Sequence, residues 1–303
     1  MKSVHWLIAI VLSAGLVLPG CGGDDRTPEQ HIADAVAFEE QGELDAAVLE
    51  LKSALKKAPD NTRARWLLGT VYLKTGESAA AVKELERSLA LGQDPETVVI
   101  PLATAYLYEK QYQELLDNTE NMANVAGDEQ VRLLVLRGHA SIGLNKLEEA
   151  DELYDLALGL RDDDAEARLG KAQVQASQGR LEKAREWVAR AVESDPALSS
   201  AWSLLGDIEQ YDNNLEAAET AYSKAIKASP EGIGIHELAS RALVRLSLGK
   251  VDQAARDVAQ ARRLNNVARA KQPLVYYVIG QLELKRQKYA EAAAALEKML
   301  EFE

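Results

Sequence analysis

The chain has 303 residues, 47% of them hydrophobic, 27% charged and only 5% aromatic. Its formal net charge is −13, a surface that repels phosphate backbones and so disfavours nucleic acid. The sole cysteine, Cys21, rules out an intrachain disulfide, and the Ala- and Leu-rich, aromatic-poor composition suits a thin helical core shared between neighbours.

In chain order, residues 1–20 come first and stand apart from the rest. Lys2 gives a weakly positive start, and Trp6 to Leu18 is an apolar run of thirteen residues. That is too short for a helix to cross about 30 Å of hydrocarbon. The run ends in Leu18-Pro19-Gly20-Cys21, which resembles a bacterial lipoprotein signal with small residues just before the cysteine. Because the run stops at the only cysteine, the match differs from a secretory signal with a cysteine at random. The resemblance implies lipidation at Cys21 and a position outside the cytoplasmic membrane. Several acyl chains would hold the protein firmly, where one binds only marginally. Gly22 after the cysteine favours the outer membrane over the inner, while Asp24 and Asp25 keep the inner membrane open. Residues 21–27 then read as the lipidated cysteine and a polar tether.

From residue 28 a period of 34 sets in. Phe38, Tyr72 and Tyr106 keep this interval, as do Gly42 and Gly76, and Ala47 and Ala81. It resumes in Ala150, Ala184 and Ala218, in Ala157, Ala191 and Ala225, and in Pro196 and Pro230. A fixed period of this length predicts stacked supersecondary units rather than one core. Within Thr62 to Pro95, Ala64, Leu67, Leu68, Val71 and Tyr72 form one stripe of a helix. Gly76 breaks it, and Ala81, Val82, Leu85, Ser88 and Leu89 form a second stripe. So short a break predicts antiparallel neighbours. Gly69 and Ala81 belong where backbones approach closely, with Tyr72 filling the gap beside them, and Pro59, Pro196 and Pro230 each follow a second helix that cannot run on.

The expected units are 28–61, 62–95, 96–130, 131–164, 165–198, 199–232, 235–268 and 273–303. The third is degenerate, with Leu115 in place of a small residue, which makes 111–130 a candidate hinge. Longer intervals at the last two junctions predict short insertions in loops between units. The last helix carries Ala292, Leu296, Met299 and Leu300 on faces that expect a further neighbour, so the chain is expected to continue or to pair through this end.

Catalytic and metal chemistry leaves no signature. The four histidines, at 5, 31, 139 and 236, share no ligand spacing, and His236-Glu237 lacks the second histidine of a zinc-protease helix. No phosphate loop, dinucleotide fingerprint or nucleophile elbow occurs. Asp162-Asp163-Asp164 reads as a solvated loop without the spacing of a calcium site. The expectation is a non-enzyme without cofactor or metal.

Trp66-Leu67-Leu68-Gly69-x-x-Tyr72, Gly76, Ala81, Leu85 and Ser88 resemble the tetratricopeptide repeat, as do Trp202-x-x-Leu205-Gly206, Ala218, Tyr222, Ala225 and Pro230. The resemblance implies an all-α solenoid of helix pairs, a right-handed superhelix of about eight units over 28–303. It also implies a concave groove lined by positions two, five, nine, twelve and thirteen of each unit. The residues so placed include Arg63, Trp66, Thr70 and Lys74, then Ile100, Thr104, Leu107 and Tyr108, then Arg132, Val135 and His139, and finally Leu169, Gln173, Asp207 and Tyr211. Mixed apolar anchors and hydrogen-bonding groups suit a protein or peptide segment, and Trp66, Tyr108 and Tyr211 could also stack on sugar rings. For Trp66, plain packing explains the residue equally well. Position nine reads Val36, Thr70, Thr104, His139, Gln173 and Asp207, unlike the subclass that clamps a C-terminal carboxylate.

Cys21 followed directly by repeats, Ala54-Leu55-Lys56-Lys57-Ala58-Pro59-Asp60-Asn61, Pro101-Leu102-Ala103-x-Ala105-Tyr106-Leu107 and Tyr112-Gln113-x-Leu115-Leu116-Asp117 resemble the PEP-CTERM system TPR-repeat lipoproteins. That resemblance implies a lipid-anchored, periplasm-facing scaffold beside exopolysaccharide production and exosortase-linked sorting. Its partners would be envelope proteins or peptide segments, with polysaccharide a further candidate. An assembly lipoprotein for pili or outer-membrane proteins, and the repeat arm of a longer enzyme, are the competing expectations.

Overall fold

The computed structural model describes residues 25–120, 125–229, 234–267 and 272–301. Cys21, the residues before it and Pro230 lie outside the described residues. Among the described residues all regular structure is helical, sixteen helices in eight antiparallel pairs. α1 (Pro28–Glu40) pairs with α2 (Leu44–Lys57), α3 (Thr62–Thr75) with α4 (Ser78–Ala90), and α5 (Pro95–Tyr108) with α6 (Tyr112–Thr119). α7 (Asp128–Gly143) pairs with α8 (Leu147–Leu160), α9 (Ala165–Ser177) with α10 (Leu181–Ser194), and α11 (Ser199–Tyr211) with α12 (Leu215–Ala228). α13 (Ile235–Ser247) and α14 (Val251–Val267), then α15 (Pro273–Lys285) and α16 (Tyr289–Leu300), complete the stack.

One backbone device makes each pair. The fifteenth residue of every unit is left-handed: Gly42, Gly76, Lys110, Asn145, Gly179, Asn213, Gly249 and Gln287, with φ between 57° and 80°. A left-handed residue just past a helix turns the chain sharply while its amides cap the last carbonyls. Thus Gly76 N–H donates to the carbonyl of Leu73, and Glu77 N–H to that of Tyr72. Several first helices start on side-chain caps: Thr27 forms a capping box with Gln30, and Asn61 and Asp164 accept from Ala64 and Ala167.

Small residues set the spacing inside a pair. Position eight is Ala or Gly in all eight units, and in the four with glycine it faces the residue sixteen places on. A Cβ at Gly69 would lie 2.5 Å from Leu85, at Gly138 2.6 Å from Tyr154, at Gly206 2.6 Å from Tyr222, and at Gly280 2.7 Å from Leu296. The close approach expected at Gly69 is therefore real, and what fills it is Leu85. Tyr154 is held from a second side as well, since a Cβ at Gly170 would lie 2.2 Å from its ring. Tyr72 is buried, with the Lys52 ammonium 5.5 Å from its ring centre.

First helices of successive units also meet: α3 with α5, α5 with α7, α7 with α9, α9 with α11, and α13 with α15. Among the described residues no second helix packs comparably on the next second helix. Helices that crowd along one side while splaying along the other give a row whose hollow is lined by the first helices.

Three departures stand out. α6 has only eight residues, with Leu115 and Leu116 buried. The hinge expected over 111–130 includes 121–124, which lie outside the described residues. Pro101 sits inside α5, where it removes one amide from the helix ladder. Most second helices stop near the thirtieth position of their unit, but α14 runs three residues further, through Asn265, Asn266 and Val267. Extra chain at this junction is therefore not all loop.

Candidate protein-binding groove

One cleft of the hollow lies where α11, α13 and α15 meet. They enclose a cleft of about 330 Å³ lined by Gln210, Leu243, Leu246, Ser247, Tyr277, Gln281 and Lys285. Every one occupies position five, nine, twelve or thirteen of its unit. Helical geometry explains the coincidence: these positions fall on one face of a 3.6-residue helix, opposite the small and large residues that hold the pair together. Leucines give an apolar floor, Tyr277 is 38% exposed, and two glutamines and a serine supply donors and acceptors. Beside it Tyr211 is 78% exposed, a large aromatic face turned to solvent. A single side-chain charge, Lys285, lines the cleft of this strongly acidic chain.

The residues singled out from the sequence divide into three groups. Arg63, Arg132, Tyr108, Asp207 and Tyr211 are exposed. Lys74 is exposed as well and bridges to Glu39 of the preceding first helix at 2.7 Å.

Others already serve the fold. Thr70 and Thr104 donate to the carbonyls of Leu67 and Ile100 in their own helices, each at 2.8 Å. Trp66 is half-buried and its indole N–H donates to the carbonyl of Thr97 at 3.1 Å, tying α3 to the first turn of α5. Gln173 is half-buried. His139 lies with its Nδ1 2.8 Å from Tyr154 Oη, and burial lowers its pKa to about 4. The imidazole is thus neutral, and the Tyr154 hydroxyl donates to it.

The third group is buried. Ile100, Val135 and Leu169 are 6%, 6% and 2% exposed, so these three face the core rather than the groove.

Asp207 joins a polar cluster at the edge of the cleft. It accepts from Tyr222 Oη at 2.7 Å, and His236 Nε2 stands 3.5 Å from the same oxygen. Hydrogen bonding to Asp207 raises the His236 pKa against its partial burial. Hydrogen bonds and neighbouring charge therefore hold this acid–imidazole pair as structure. Among the described residues no group of three His, Cys, Asp or Glu side chains could hold a metal ion, and no helix is long and apolar enough to cross a membrane.

Leu243, Ser247, Tyr277, Gln281 and Lys285 were legible from the same five-position rule, carried two units further than Tyr211. The units expected at 235–268 and 273–303 already place them on these positions.

Comparison with known proteins agrees with this architecture. Sequence models of the tetratricopeptide repeat match residues 39–98 and 141–208, residues 199–231, and residues 240–302. No curated protein sequence matches the chain. Among solved structures, a tetratricopeptide repeat protein from Parabacteroides merdae is similar at a TM-score of 0.67 and 19% identity, covering 84% of this chain and 98% of that one. The Pseudomonas aeruginosa pilF protein is similar at a TM-score of 0.52 and 17% identity, covering 69% of this chain and 95% of that one. At such identities the likeness is one of fold. Paired helices, a left-handed residue at each fifteenth position and the matched segments together make this chain a member of the tetratricopeptide-repeat proteins.

Proposed function

We propose that this protein is a lipid-anchored envelope scaffold that holds extended segments of protein partners in the hollow of its first helices. The observation that carries the reading is the cleft between α11, α13 and α15, whose lining residues all fall on the groove positions. An apolar floor with amide and hydroxyl groups at its sides recognises a peptide by side-chain burial and backbone hydrogen bonds. Its near absence of charge suits an uncharged amphipathic segment. The acidic surface around it discourages polyanions and anionic lipid, which leaves acyl chains on Cys21 as the membrane contact. The resemblance to the PEP-CTERM system lipoproteins supports a place beside exopolysaccharide production and protein sorting, facing the periplasm from the outer membrane. Catalysis has no part in this reading.

The anchor and the groove are tested together. In a Gram-negative host the full chain is expected in the membrane fraction, labelled by radioactive palmitate, with both lost in Cys21→Ser. A soluble, unlabelled wild type would overturn the anchor. Leu243→Asp puts a charge on the cleft floor and is expected to lower recovery of membrane-derived partner proteins about ten-fold. Unchanged recovery would overturn the groove.

A further inference from the structure

Charge is divided unevenly along the chain. Residues 1–234 carry 40 acidic side chains against 23 Lys and Arg, whereas residues 235–303 carry 8 against 12. The basic excess reaches the surface on α14, where Arg256, Arg262 and Arg263 are exposed and have no ion pair among the described residues. Arg256 and Arg263 stand two helical turns apart on one face, with the exposed Gln260 between them.

α8 presents the opposite surface. Leu147–Leu160 holds five carboxylates and no Lys or Arg. Asp151 and Asp155 pair with Lys171, and Glu149 with Lys146. Glu148 and Glu152 are exposed or nearly so and have no ion pair among the described residues. Leu156 and Leu160 follow at steps of four, 60% and 54% exposed. Such steps make one ridge along a helix. The fold does not call for leucine on it: the place of Leu156 is taken by Ser53, Arg87, Arg190, Lys224, Gln260 and Lys298 in six other units.

Arginine suits this ridge, because its aliphatic stem lies on leucine while its guanidinium meets a carboxylate. Within one chain α8 and α14 belong to units four and seven and do not pack together, so only a second copy brings them face to face. Like faces repel, α8 against α8 through carboxylates and α14 against α14 through guanidiniums. The contact is therefore heterologous, and each copy keeps one face free for the next. We propose that the chain self-associates head to tail, α14 of one copy laying its arginines on the Glu148–Glu152–Leu156–Leu160 ridge of another. Both faces belong to second helices, so the hollow stays open and the inference does not rest on what the groove holds. A crosslinker at 260 would join two copies of the chain and give no adduct with a groove partner.

Sedimentation velocity of the full chain in mild detergent tests this. The account expects dimers and longer assemblies that grow with concentration, with an apparent Kd of about 10 μM or tighter at low salt. Raising salt from about 0.01 M to about 1 M should weaken assembly at least ten-fold, as the screening length falls from about 30 Å to about 3 Å. Leu156→Ser/Leu160→Ser and Arg256→Ser/Arg263→Ser replace exposed side chains and should each be folded and monomeric alone. An equimolar mixture of the two should form dimers and nothing larger, because one variant keeps the arginines and the other keeps the ridge. A wild type that stays monomeric, assembly kept in either double variant, or a mixture that stays monomeric would overturn the proposal. So would a monomeric wild type that binds phosphatidylglycerol vesicles and loses them in Arg256→Ser/Arg263→Ser, which would assign the arginines to a membrane.

Discussion

From Ile32 to Ala140 the first three units and α7 share one uninterrupted apolar cluster. Beyond α7 the apolar core breaks into smaller clusters, one of them only Ala218, Tyr222 and Val244. Ion-pair networks run alongside these smaller clusters. Lys171 of α9 reaches Asp151 and Asp155 of α8 at 2.7 and 2.8 Å, and Arg185 of α10 reaches Glu209 and Asp212 of the α11 end. Between α12, α13 and α14, Asp257 accepts two bonds from Arg241, at 2.7 and 3.0 Å, and one from Arg245 at 2.8 Å. Arg245 and Lys250 also bind Glu219. Burial pushes the Glu219 pKa up, but these two cations outweigh it and hold it low.

The same backbone repeat thus carries one continuous apolar cluster in its first half, and divided clusters with more extensive ion-pair networks in its second. An apolar junction loses stability in proportion to the area removed, whereas a buried ionic one strands its remaining partner when a single charge is deleted. The second half is also the half that carries the cleft of α11, α13 and α15. A solenoid is held only by neighbour contacts, so these networks set how rigidly the groove is presented.

The sharpest way to break this contrast is Asp257→Ala. It leaves Arg241 and Arg245 facing each other with little solvent, so a loss of about 3–5 kcal/mol is expected by chemical denaturation. Hydrogen exchange should quicken in units six to eight and stay unchanged in units one to three. Uniform exchange along the chain would contradict separate junctions.

The next effect is one of pH. The folded pKa of His139 is about 4, below the ordinary 6.5, so the unfolded chain takes up a proton first as pH falls. Its contribution is full above about pH 6.5 and disappears as pH drops toward 4, up to about 3 kcal/mol at most. His236 has the opposite sign: its raised pKa lends stability below the unfolded value and loses it as pH rises through the folded one. His236 is half exposed, which keeps that effect smaller. Denaturation at several pH values should show a weaker acid slope in His139→Asn and a steeper one in His236→Asn.

Gly170→Ala probes the glycine vise around Tyr154. The ring is pressed from the other side by Gly138, so it cannot retreat, and a loss of about 1–3 kcal/mol is expected. Gly159 has open space around its Cβ position and serves as control, since alanine there should raise stability slightly. The smallest effect is a gain. Lys110 and Gln287 hold a left-handed backbone that glycine adopts freely, so Lys110→Gly is expected to add up to about 1 kcal/mol.

Much of this fold could be read from residues alone, because a repeat writes its rules several times. Gly42, Gly76 and the Ala47–Ala81 interval located the pairs, and position rules learned at Trp66 and Tyr72 carry through to Tyr277. Lys110, Asn145, Asn213 and Gln287 hid the recurring turn, since residues other than glycine can be forced left-handed by the packing on either side. The ionic junctions were not legible. Arg241 and Asp257 are sixteen residues apart in a chain with 48 acidic side chains, and only the stacking selects their pairing. The overrun of α14 was hidden for a different reason: three helical residues too many look like loop until the helix is seen to continue.

The central claim is that partners lie against the first helices. A photo-crosslinking amino acid placed in turn at 211, 243 and 277 on first helices, and at 183, 227 and 260 on exposed second-helix positions, tests it in the native envelope. The account predicts a shared partner adduct at 211, 243 and 277 and none at the other three. Adducts of equal yield on both sets, or on the second helices alone, would contradict it.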